Sequence, residues 1–217
     1  MTETTDDVER ADLDRLAAGL VRAAGPRLLS LVAYGDGRQL MAVLDRADLP
    51  LMQRLAAPFR GRWREVGAEP FVVTRSELAR LADVFPLRLW HVKRSHVLLH
   101  GGDVVSGVVI EPAHLRLRLE QALRNRLLRL RRHLVLTGAD ARSLVPVLVG
   151  SAHALEIELA ALASLEDAPR DLGLDALLAE LRALEHGESQ SDPLDLCGRL
   201  MEGLERTIEA ADRLAVD

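Results

Sequence analysis

The stretch that decides the fold is Leu28 to Leu44, LLSLVAY-GDGR-QLMAVL. Two apolar runs, the first partly β-branched, suit buried strands. The short Gly35-Asp36-Gly37-Arg38 turn between them makes the pair a β-hairpin. Upstream, Val8, Leu13, Leu16, Ala17, Leu20 and Val21 recur at helical spacing from about Asp6 to Ala24. Gly25-Pro26 ends that helix, because proline disfavours a helical residue before it. Downstream, Leu51, Leu55, Phe59 and Trp63 are spaced four apart and predict a helix from Leu49 to Val66. Pro70 to Thr74, PFVVT, reads as a third strand.

Thr74 or Ser76 caps the next helix, through Leu81, with Glu77 available to the first-turn amides. Residues 85–103, FPLRLWHVKRSHVLLHGGD, alternate at Leu87, Leu89 and His91 and pulse again at Val97 to Leu99. That predicts one or two strands ending at Gly101-Gly102. Pro112 opens a long helix to about Leu136, and everything beyond reads as helix. Gly138, Gly150, the Asp167–Pro169 region and the Gly187–Pro193 stretch punctuate it. The expected fold class is α+β: a mixed sheet with flanking helices over residues 1–110, then a C-terminal helical bundle over residues 111–217.

Composition narrows the functional classes. With 217 residues, 48% hydrophobic and 28% charged, the chain can bury a real core, which excludes a disordered protein. Apolar stretches such as Leu144 to Gly150 fall short of the ~20 residues that span a bilayer. The opening MTETTDDVERADLD is acidic where a signal peptide would be basic. Cys197 is the only cysteine, so one chain forms neither a disulfide nor a thiolate cluster. A cytoplasmic protein without membrane contact is the expectation. Charge is divided: residues 1–59 carry net −2, residues 60–133 net +8 and residues 134–217 net −11. A basic middle beside an acidic end favours docking within the chain or head-to-tail contact.

In order along the chain, LLSLVAYGD, LMAVLD, PFVVTRSELARLADVFPLRLWHVKRSHVLLHGGD, LRLRLEQALRNRLLRLRRHL and LMEGLERTIEAADRL resemble the bacterial nucleotidyltransferase-like family. The resemblance implies the nucleotidyltransferase fold of the DNA-polymerase-β type. It also implies a chemistry in which a Gly-Ser at a helix start offers amides to phosphates and paired carboxylates hold two metal ions. Here Gly35 is followed by Asp36, and the strand that should carry Asp-x-Asp reads Gln39, Leu40, Met41, Ala42, Val43, Leu44. Phe71, Val72, Val73 and Thr74 supply no third acid. Asp36 and Asp45 are the remaining catalytic candidates. At ~3.3 Å per residue they stand on the order of 25–30 Å apart across the hairpin, too far to share metals ~4 Å apart. Gly35, Asp36, Gly37 and Arg38 are the candidate nucleotide contacts. The expectation is therefore a catalytically degenerate relative that needs no cofactor and binds a protein partner or a second copy. An active transferase with a rebuilt site, using Mg²⁺, is the alternative.

Other constellations carry less. Gly35-x-Gly37 lacks the third glycine of a dinucleotide fingerprint, and Asp36 would repel phosphate. His91, His96 and His100 cluster, and on one strand His96 and His100 would share a face. No acid lies between Asp83 and Asp103 to complete a site, so no metal centre is expected. Arg126 and His133 stand two helical turns apart, a spacing similar to the Arg and His of HEPN ribonucleases. With Arg129, Arg131 and Arg132 they are the candidate nucleic-acid contacts. The competing expectation is that these arginines pair with Glu156, Glu158, Glu202, Glu205 and Glu209 of the acidic helices.

Overall fold

A computed structural model describes residues 5–35, 39–60, 70–169 and 172–214. The chain divides into two compact units, Met1–Ile110 and Glu111–Asp217. The first is an α+β unit. Helix α1 (Thr5–Ala24) leads through the Gly25–Arg27 turn to β1 (Leu28–Tyr34) and β2 (Gln39–Leu44). Then come α2 (Leu49–Leu55), β3 (Pro70–Thr74), α3 (Arg75–Val84), α4 (Pro86–Ser95) and β4 (Val97–Gly101).

The four strands form one mixed sheet in the order β3-β2-β1-β4. The hairpin pairs Tyr34 with Gln39 and Leu31 with Ala42, and β2 runs parallel to β3 with Val43 beside Val73. Alternate residues of the two central strands feed two cores. Leu31, Ala33, Leu40, Ala42 and Leu44 meet Leu16 and Leu20 of α1 and Leu51 and Leu55 of α2. Val32, Tyr34, Met41 and Val43 meet Leu78 and Ala82 of α3 and Leu89 and Val92 of α4. Burial on both faces is the reason these strands are apolar at nearly every position.

Three local expectations need correction. Helix α2 stops at Leu55 and gives way to a tight Ala57–Phe59 turn, because Pro58 lacks an amide hydrogen and disfavours helix at Ala57. Trp63, placed on the same helix by its spacing, lies outside the described residues. The first half of residues 85–103 is helix, not strand. Pro86 sits in its first turn, and Pro86, Leu89 and Val92 bury one face at a period of three. Gly150 ends nothing: it lies inside a helix of the second unit.

Thr74 and Glu77 form a reciprocal capping box at the start of α3. Gly101 closes β4 with φ +78°, in the left-handed region, and a Cβ there would stand 2.1 Å from the Leu29 carbonyl oxygen. No other residue type fits that contact.

The second unit is helical: α5 (Pro112–Thr137), α6 (Ala141–Leu162), α7 (Asp175–Glu185) and α8 (Pro193–Arg213). Leu123, Leu127 and Leu130 of α5, Leu144, Leu148 and Leu155 of α6, Leu178 and Leu181 of α7, and Leu196, Leu200 and Leu204 of α8 share one core. Helix α6 is the one described helix long and apolar enough to cross a membrane. Here Leu144, Leu148, Ala152 and Leu155 face the neighbouring helices, and Glu158 is buried among them. The polar Gly187–Pro193 stretch separates α7 from α8, where the Asp192 carboxylate accepts from the Leu194 amide.

Candidate functional site

The place to test for transferase chemistry is the hairpin end of the sheet. Gly35 begins the turn with φ +70°, and its amide donates to Ser95 Oγ at 2.9 Å. Ser95 Oγ in turn donates to the His91 carbonyl at 2.8 Å, which anchors the turn to the end of α4. The His91 ring stands edge-on to Tyr34 at 5.7 Å. Arg88 donates to the Tyr34 hydroxyl at 3.3 Å and stacks over the Phe71 ring at 4.1 Å. Tyr34 is 1% exposed, so the guanidinium contact satisfies a hydroxyl cut off from water. Asp36, Gly37 and Arg38 lie outside the described residues.

The described residues of β2 supply no carboxylate for a two-metal centre. Position by position, β2 offers buried aliphatic side chains and Met41 from Leu40 to Leu44. Asp45 follows at the end of β2 away from the turn, exposed, its amide donating to the Arg27 carbonyl at 2.9 Å. Three carboxylates that follow strand ends away from the turn have structural work. Asp48 accepts from the Leu51 amide at 2.9 Å and from Arg27 at 2.6 Å, and these contacts hold its carboxyl below the usual range. Asp103 accepts from the Ser106 hydroxyl and amide and lies 3.3 Å from His96, which pushes its carboxyl far down. Glu77 is lowered by the Thr74 amide and hydroxyl that it caps.

The three histidines do not assemble. His91 belongs to α4, His96 follows the end of that helix and His100 lies on β4, so the shared strand face expected for His96 and His100 does not exist. His96 instead sets Nε2 3.3 Å from Asp103 and Nδ1 3.1 Å from the Lys93 carbonyl. Among the described residues no three His, Cys, Asp or Glu side chains converge as a metal site would need.

In the helical unit the arginines of α5 divide by environment. Arg126 is 5% exposed and makes a two-pronged pair with Glu158 of α6, Nε to Oε2 at 3.2 Å and Nη2 to Oε1 at 2.7 Å. His133 Nε2 lies 3.0 Å from both the carbonyl and the hydroxyl of Ser143. The two residues therefore turn to separate partners on α6 and form no joint site. Arg131 pairs with Glu205 of α8, and Arg124 with Glu120 of its own helix at 2.8 Å. Glu156 takes Arg182 instead of an arginine of α5, and Glu209 takes Arg213. Of the proposed nucleic-acid contacts, Arg129 and Arg132 are left exposed, with no ion-pair partner among the described residues.

Two features escaped the sequence reading. The Arg88–Tyr34–His91–Ser95 cluster is hidden in the sequence because the alternation within residues 85–103 predicts strand where Pro86–Ser95 is helix. The Arg199–Glu180 pair, two contacts at 2.6 and 2.9 Å, joins helices whose register no local motif reveals. Compared with known family models and with curated proteins, the chain matches none.

Proposed function

We propose that this chain is a nucleotidyltransferase-like protein that has lost transferase chemistry and acts by binding a protein partner, in a regulatory or scaffolding role inside the cell. The observation that carries the reading is strand β2. Where the resemblance calls for metal-holding carboxylates, Leu40 to Leu44 are buried against helices on both faces of the sheet. A carboxylate pair placed there would be cut off from water, at a desolvation cost that falls on its charged form. The loss is thus built into the core and is not a change of one exposed residue.

The test is nucleotide consumption. The purified chain, incubated with each ribonucleoside triphosphate and Mg²⁺ or Mn²⁺, is expected to release no pyrophosphate above a heat-inactivated control. Metal-dependent release that disappears on Asp36→Ala or Asp45→Ala would restore the active-transferase reading.

A further inference from the structure

After β4 the chain runs as a strap, residues 102–110, over the side of the sheet that carries α3 and α4. Val105 and Val108 are buried in the core there. Two side chains at the end of α4 reach the strap. Lys93 Nζ donates to the Val108 carbonyl at 2.7 Å. Nearer β4, Asp103 Oδ1 accepts from the Val105 and Ser106 amides, each at 3.0 Å, and Oδ2 accepts from the Ser106 hydroxyl at 2.5 Å. That turn holds the Asp103 carboxylate 3.3 Å from Nε2 of His96, which follows the last residue of α4. The His96 ring therefore meets an acceptor at each nitrogen, since Nδ1 lies 3.1 Å from the Lys93 carbonyl. A neutral imidazole has one N–H and serves only one of the two, leaving a lone pair against oxygen at the other. The doubly protonated ring serves both and adds charge attraction to Asp103. The His96 side chain is 11% exposed, so water relieves little of the mismatch.

From this geometry we infer that His96 and Asp103 form a proton-dependent latch: the charged ring ties the strap to α4, and the neutral ring lets it slacken. The latch is independent of the partner-binding reading above. Other charged groups around the ring do not take the place of Asp103. Lys93 engages its ammonium with the strap, and as a cation it opposes protonation of His96. Arg94 lies over the Trp90 ring at 5.4 Å. His100 of β4 stands opposite Leu31, whose side chain packs in the core on the other face of the sheet. Asp103 itself stays ionised while the ring titrates, because the Ser106 hydroxyl and amide hold its carboxyl far below the ordinary range. The sign follows from the favoured form. A histidine that the fold prefers charged adds stability below its unfolded value, about pH 6.5, and loses it as pH rises.

The test is a double-mutant cycle on the full chain with His96→Ala, Asp103→Asn and the two together, by urea unfolding at about pH 5.5 and about pH 8. Asparagine keeps the carbonyl that accepts from the Val105 and Ser106 amides and removes the charge, so the cycle reads the ring contact. At the lower pH the coupling should amount to about fivefold in the unfolding equilibrium, and at the higher pH it should vanish. A coupling no larger at the lower pH than at the higher overturns the latch. The wild type gives a second reading that needs no variant to fold. Exchange of the Val105 and Ser106 amides with water, followed by NMR and divided by the intrinsic rate at each pH, should be about threefold better protected at the lower pH. Protection no better there than at the higher pH overturns the latch as well.

Discussion

Replacing Glu158 with alanine strands the Arg126 guanidinium inside the helical unit. The expected loss is about 3–5 kcal/mol by urea unfolding, whereas the double variant Arg126→Met with Glu158→Leu should unfold near or above the wild-type midpoint. The sequence marked Arg126 for its distance from His133, but the same helical arithmetic held a better signal. Residue 126 falls on the side of Leu119, Leu123 and Leu130, all buried, so a charge there needs an internal partner. Cys197 shows the opposite case, since burial pushes its thiol up and leaves it unreactive. A disulfide reagent should label it only after denaturant is added. Carboxylates set the acid limit. Asp48, Asp103 and Glu77 are all held below their ordinary values, so the unfolded chain takes up protons first. Their stabilisation is complete above about pH 5 and drains as pH falls through about 4 and below. Asp103→Asn should flatten the fall of the thermal midpoint between those conditions and lower pH.

At the scale of elements, the hairpin, β3 and α5 were legible because each is bounded by a residue with one physical meaning: a Gly-containing turn, a threonine cap, a proline in the first helical turn. Thr74→Ala should cost about 1 kcal/mol through loss of the capping box, measured by chemical denaturation. What misled was residues 86–95. Leucines at alternate positions mimic a strand, and only the burial of Pro86, Leu89 and Val92 shows the helix. That burial depends on the sheet already standing beside it, which no local pattern encodes. The strand that follows makes a sharper test. Gly101→Ala would drive a methyl into the Leu29 carbonyl at a backbone angle that L-residues avoid, so a loss of at least about 2–3 kcal/mol is expected.

At the scale of the molecule, the charge division seen in the sequence resolves into specific pairs within the helical unit and a remainder on its surface. Arg126 and Arg131 are neutralised by Glu158 and Glu205, while Arg129 and Arg132 remain exposed beside Leu128, Val135 and Leu136. The absence of paired acids on β2 was legible in the sequence, where the strand reads Gln39, Leu40, Met41, Ala42, Val43, Leu44. The double-sided burial that, on the proposed reading, keeps carboxylates off that strand needed the helices in place. The most direct test of that claim is to titrate the folded chain with ATP, GTP, CTP and UTP, each with Mg²⁺, while following its thermal midpoint. A ligand at a hundred times its dissociation constant adds about 2.7 kcal/mol, enough to raise the midpoint by several degrees. The account predicts no shift with any of them; a metal-dependent rise with one nucleotide would contradict it.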